Sequence, residues 1–199
     1  MSRESVTGVV IEGEVFNEAN WEEVVDAEFR GCTFAGADLH GVLVRSSRFI
    51  ECHFERCDLS LWRPVDSLFG ASRFEDCRML GIDWTLAVWP RVPLHGPNVF
   101  VRCEMSMGTF ANLDLGPVTF EECRLRDVSY RETRMDGGRL DRSDCLGADF
   151  HGADLTGAGL VGVDGLAVDP RVTKLEGASV DGVAGAAILD MLGINLVDR

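Results

Sequence analysis

The sequence predicts an all-β solenoid, a chain that turns a corner every five residues so that four repeats close a square coil. Three observations predict it. Large apolar residues recur with a period of five at Phe29, Phe34, Leu39, Val44, Phe49, Phe54, Leu59, Pro64, Phe69, Phe74, Met79, Trp84, Trp89 and Leu94. After a slip of one residue the series resumes as Phe100, Met105, Phe110, Leu115, Phe120, Leu125, Tyr130, Met135, Leu140, Cys145, Phe150, Leu155 and Leu160. It then fades through Gly165 and Pro170 to Leu175 and Val180. All of the 11 Phe except Phe16 fall on this comb. A smaller class, including Ala27, Cys32, Ala37, Cys52, Ser67 and Ala153, sits two residues before each comb position and takes every Cys but Cys145. Between Phe29 and Val180 every charged residue and every His avoids both classes. Two residues in five therefore face inward, a rule that fits neither a helix nor a simple strand but suits a stack of coils with one large and one small core residue per side.

Residues 1–23 lie outside the clear comb and are expected as an acidic N-terminal cap, with Phe16 and Trp21 able to fill a first coil. Residues 24–182 form the solenoid. At Trp62 and Pro64 a Trp holds a small slot and a Pro a large one, which predicts a bulge. The segment 89–100 contains three of the 6 Pro and the one-residue slip, and is expected as a distorted coil or short loop, because Pro removes a backbone donor and constrains its neighbours. Residues 183–199 carry a short helix from about Ala184 to Leu192, stopped by Gly193, and a tail. Residues twenty apart should stack, placing Cys32 over Cys52, Cys57 over Cys77 and Cys103 over Cys123 within disulfide range. Buried thiols filling small core slots are the favoured reading.

The chain has 199 residues, 46% of them hydrophobic, and a mean hydropathy of +0.05, enough for a sizeable core. Its 19 Lys and Arg against 33 Asp and Glu give a net charge of −14 at pH 7. That balance argues against direct nucleic-acid binding, which depends on basic side chains displacing counterions, and favours a basic partner. The N-terminal residues lack the basic and apolar regions of an export signal, and no stretch is long enough for a membrane helix. A cytoplasmic, reducing location is expected, and 7 Cys is an odd number for a disulfide framework.

The segments GADLHG (36–41), CDLSL (57–61) and GADFHGADLTGAGL (147–160) resemble the pentapeptide-repeat proteins over about residues 24 to 180. The resemblance implies a right-handed quadrilateral β-helix. The block CRMLGIDWTLAVWP (77–90), the following VFVRC and the tail AAILDMLGI (186–194) resemble the topoisomerase-protecting branch, which includes the Qnr, MfpA and AlbG types, with the tryptophan block most similar to the albicidin-resistance type. That resemblance implies a homodimer formed through the C-terminal end, for which Ala187, Ile188, Met191, Leu192 and Ile194 are the candidate contacts. It also implies a type II topoisomerase, DNA gyrase or topoisomerase IV, as partner.

No catalytic or metal-binding constellation is apparent, and no cofactor is expected. Gly157, Gly159 and Gly162 spell GxGxxG, but they lie inside the running repeat, without the strand-to-helix turn that a nucleotide site needs. The four His occupy outward slots while the Cys point inward, which separates the ligand types of a metal site. Charge is the remaining instrument. Counted with a period of twenty, the side centred on Phe34, Phe54, Phe74 and Leu94 carries Glu55, Glu75, Asp76, Asp114, Asp136, Asp154 and Glu176. Near the C-terminal end Asp144, Asp149, Asp154, Asp164, Asp169, Glu176 and Asp181 face only Arg171 and Lys174, and form the candidate partner-binding surface. The leading expectation is a non-enzymatic DNA mimic that occupies the basic DNA-gate groove of a topoisomerase and protects it from poisons. The alternative is a scaffolding repeat protein whose contact uses the outward apolar residues Leu61, Leu68, Leu80 and Val88.

Overall fold

The computed structural model describes residues 4–17, 19–90 and 95–195. They form a parallel β-solenoid of four faces. The first face carries the strands Glu4–Thr7, Trp21–Val25, Leu43–Arg45 and Arg63–Val65. The second carries Val10–Glu12, Glu28–Arg30, Arg48–Ile50 and Leu68–Gly70. The third carries Val15–Asn17, Thr33–Ala35, His53–Glu55, Arg73–Glu75, Val99–Val101 and Thr119–Glu121. The fourth is held by single bridges running Asp38, Asp58, Arg78, Glu104, Arg124, Asp144 and Asp164. Most residues that end a side turn into positive φ, among them Gly31 at 57°, Gly36 at 62° and Glu51 at 55°. That turn permits the ninety-degree change of direction.

The core is the comb. Phe29, Phe34, Phe54, Phe74, Phe100, Phe120, Leu140 and Leu160 are all fully buried. Rings on one face stack coil upon coil: Phe34 on Phe54 at 4.6 Å, Phe54 on Phe74 at 4.7 Å, Phe74 on Phe100 at 4.8 Å and Phe100 on Phe120 at 5.0 Å. Rings on adjacent faces meet edge to face in pairs such as Phe29 and Phe34, so Phe34 has both of the contacts that aromatic rings favour.

The small slots have a second requirement that size alone does not convey. Where a slot holds Cys, Ser or Thr, the side chain donates to a carbonyl of the preceding coil: Ser72 Oγ to Phe49 O at 3.0 Å, Thr133 Oγ1 to Phe110 O at 2.7 Å, Cys77 Sγ to Phe54 O at 3.4 Å. Cys, Ser and Thr are thus interchangeable rungs, each satisfying a carbonyl that the corner leaves exposed to the core. All seven Cys are free and buried. The expected stacks of Cys57 on Cys77 and of Cys103 on Cys123 join into one ladder, since Cys77 and Cys103 also interact. Burial raises Cys52 and Cys145 to about 12, and the Cys103 thiol together with burial raises Cys77 to about 12. We expect no thiol to react with a disulfide reagent in the native protein at neutral pH and all seven to react in denaturant. Rapid native labelling of even one would contradict this burial.

Phe16 lies in a first coil, as the sequence allowed, and three other sequence expectations are corrected. Residues 4–17 carry three strands, in which Val6, Ile11 and Phe16 pair with Val24, Phe29 and Phe34 of the next coil. This first coil is two residues short, so the comb before Trp21 was out of frame. At Trp62 and Pro64 no bulge forms: Arg63–Val65 pairs in register with Leu43–Arg45, because the large ring in the small slot is offset by the small ring in the large one. Between Phe74 and Phe100 the chain does not slip by one residue but inserts six, since these residues pair directly. Leu94 lies outside the described residues. All residues beyond 100 consequently sit one face earlier than a period of twenty predicts: Asp114 and Asp154 follow the second face, not the face of Phe34, Phe54 and Phe74. At the fading end Leu166 and Val168, rather than Gly165 and Pro170, fill the core.

The helix α1 spans Gly182–Met191, with Asp181 as its N-cap accepting from Val183 and Ala184. Gly193 adopts φ 72°, and Ile194 N–H returns to Leu189 O, which ends the helix. Ala184 is buried and Ile188 packs partly on the core, closing the last coil. No helix among the described residues is long and apolar enough to cross a membrane.

Candidate functional site

The seven candidate acidic residues encircle the last coils instead of sharing a face. Asp144 and Asp164 bridge on the fourth face, Asp149 follows Ser129 on the first, and Asp154 bridges Lys174 on the second. Glu176 lies one residue past Leu175 on the second face, and Asp181 leads from the third face into α1.

Most of them are already engaged. Arg126 reaches Asp144 at 2.5 Å and Arg131 reaches Asp149 at 2.8 Å, both from the preceding coil. Lys174 binds Asp154 at 3.0 Å, and Arg171 binds Asp169 at 2.7 Å. These contacts hold carboxylates in the charged form: the Arg131 guanidinium lowers Asp149, and Arg171 lowers Asp169 to about 2. Asp154 is lowered chiefly by the Thr156 hydroxyl, with Lys174 adding to it against partial desolvation. Asp181 is lowered by the backbone N–H groups of Ala184, Gly162 and Val183, so this residue serves the fold. Asp164 and Glu176 are exposed, and Arg126 is the cation whose charge Asp164 feels.

The opposite end carries charge that the candidate set omitted. From Glu4 to Phe29 the sequence has no Lys, Arg or His, a signal legible without any structure. Glu14, Glu22 and Asp26 are exposed on the first coils and meet no cation among the described residues. Arg30 gathers Glu12 and Glu28. Along the third face the acids are again paired: Arg102 bridges Glu75 and Asp76, and Arg142 bridges Glu121 and Glu122.

Apolar surface concentrates at the C-terminal end. Among the candidate dimer contacts Met191 is 44% exposed, Leu192 46% and Ile194 49%, while Ala187 is exposed and Ile188 half-buried. Of the alternative contact set, Leu61 and Val88 are exposed, and Leu68 and Leu80 are half-covered. No group of His, Cys, Asp and Glu among the described residues has the arrangement of a metal site.

Eight copies of the family described as Pentapeptide repeats match residues 25–60 and 119–157. These two segments carry pentapeptide repeats. Five-residue sides build the coils throughout, and the unmatched middle of the chain is where Trp62, Pro64 and the six-residue insertion depart from the pattern. Among solved structures it is similar to a trypsin-treated form of QnrB1, a plasmid-mediated fluoroquinolone resistance protein, with a TM-score of 0.64 and 18% identity over 99% of this chain and 100% of that one. A second trypsin-treated form gives 0.55 and 20% identity over 97% and 100%, and full-length QnrB1 gives 0.50 and 21% over 96% and 100%. At these identities the likeness is one of fold. No curated protein sequence matches this chain.

Proposed function

We propose that this protein is a non-catalytic mimic of duplex DNA that binds a type II topoisomerase, gyrase or topoisomerase IV, in the cytoplasm and protects it from a poison. The observation that carries the reading is a nine-level rod, from Phe16 through Phe34, Phe54, Phe74, Phe100, Phe120, Leu140 and Leu160 to Val180, bearing a net charge of −14. At about 4.8 Å per coil such a rod is about 40 Å long, and two joined through their exposed C-terminal apolar residues approach 80 Å. Similarity of fold to QnrB1, a fluoroquinolone resistance protein, supports the same direction, and the tryptophan block supports the albicidin-resistance type within it. Complementary charge speeds and orients docking into a basic groove even where individual carboxylates contribute little.

The test is gyrase supercoiling and cleavage-complex formation, with a quinolone or albicidin, across a titration of the protein. Rescue at low dose is expected, and its absence with both poisons on both enzymes would refute the reading. Charge reversal then locates the contact. Asp164→Arg and Glu176→Arg should weaken rescue several-fold, and Asp154→Arg less, since Lys174 already neutralises Asp154. The scaffolding alternative has one observation in its favour, the exposed apolar corner of Leu61 and Met107 on the fourth face. An apolar contact there would be insensitive to salt, whereas the DNA-mimic contact should weaken steeply.

A further inference from the structure

The six-residue insertion does more than lengthen a coil. Along the second face Leu68 bridges Val88, and Trp89 and Pro90 follow it. The Gly96 carbonyl accepts from Ala71 N–H, and Asn98 is buried in the core. Between Trp89, Pro90 and His95–Asn98 on one side and the face on the other lies an open cavity of about 550 Å³, within the range of small-molecule sites.

Its lining divides into an apolar part and a charged rim. Phe69, Trp89 and Leu115 provide the apolar surface, with Ile50 at the side. Trp89 is half-buried, and its Nε1–H is already bonded to Trp84 O at 3.0 Å, so the ring offers apolar surface instead of an unmet donor. Trp84 and Phe110 pack edge-on against it and fix its orientation. Gly70 keeps the space open, because a Cβ there would lie 3.3 Å from Ile50 Cδ1 and 3.4 Å from His95 Cδ2. On the rim Arg48 is 66% exposed, and its ion pair is a distant one to Glu28 at 3.7 Å, a carboxylate that Arg30 already holds. The guanidinium therefore presents donors to whatever enters.

We propose that this cavity binds a planar aromatic carboxylate, its ring system against Trp89 and Phe69 and its carboxylate on Arg48. Aromatic stacking and apolar burial supply the affinity, and the guanidinium selects the anion and sets the ligand's orientation. The site is independent of the topoisomerase reading, because it lies in a recess of the second face and not on the carboxylates of the C-terminal coils.

The test is titration of 2-naphthoate into the full chain, followed by calorimetry and by intrinsic tryptophan fluorescence. One saturable site per chain with a Kd of about 1 mM or tighter is expected for a ligand of this size. Gly70→Leu, which fills the recess, and Arg48→Glu, which reverses the rim charge, should each weaken binding at least about ten-fold. The neutral analogue 2-naphthamide should bind about ten-fold more weakly than the acid. Circular dichroism checks that the variants are folded, and the exposed Arg48→Glu decides the matter if Gly70→Leu is not. Absence of saturable binding, wild-type affinity in folded Arg48→Glu, or equal affinity for acid and amide would each overturn the proposal.

Discussion

Phe100→Ala lowers the free energy of unfolding by about 3–5 kcal/mol, the range for truncating a fully buried aromatic side chain. Phe100 has no exposed surface and lies between Phe74 at 4.8 Å and Phe120 at 5.0 Å, with Trp84 edge-on at 6.0 Å. The rings above and below are held by their own strands, so the column cannot collapse into the space, and the cavity term adds to the lost burial. The position is also the first stacked ring after the insertion. In a solenoid each coil contacts only its neighbours, so weakening this junction should reduce cooperativity between the two halves as well as total stability. Urea unfolding monitored by circular dichroism and by tryptophan fluorescence checks both effects. A loss under about 1 kcal/mol with an unchanged single transition would show that the column does not couple the halves.

Asn98→Ala costs about 2–4 kcal/mol, because it strands two buried backbone groups at once. Asn98 is 7% exposed, accepts the Ser72 N–H at 3.0 Å and donates through Nδ2 to Phe69 O at 2.8 Å. It does for the coil with the insertion what Ser72 does one coil earlier, where the hydroxyl donates to Phe49 O and accepts Cys52 N–H. The longer amide spans the same two partners where the returning chain is displaced. Asn98→Ser should therefore retain part of the stability. Asn98→Asp should resemble Ala or be worse, since a carboxylate would face the Phe69 carbonyl without a proton to donate. Chemical denaturation of the three variants tests the ranking, and equal stability of Ala and wild type would remove Asn98 from the ladder.

The acidic C-terminal set was readable as composition, but its electrostatic state was not. Arg126 and Arg131 lie 18 residues before the carboxylates they hold, a separation that becomes contact only when one coil stacks on the next. Without that stack the seven acids count as a free cluster. With it, Asp144, Asp149 and Asp154 are largely neutralised locally, as Asp169 is by Arg171 two residues on. The N-terminal run from Glu4 to Phe29 needed no structure to be recognised as unneutralised, because no cation occurs within it.

The sequence alone determined the four-sided solenoid, its inward and outward residues and its C-terminal helix. A five-residue period of apolar volume fixes which side chains can leave water, and that constraint is local in the chain. Tertiary structure decided the face on which everything after residue 100 lies. The comb shows that a large apolar residue resumes at Phe100, but a ring of that kind could fill any of the four sides. Only stacking on Phe74, with the small slot rejoined through Asn98, selects the third face and turns a one-residue slip into a six-residue insertion. The recess beside Trp89 belongs to the same junction, a feature set by where the coils meet and not by any residue's own preference.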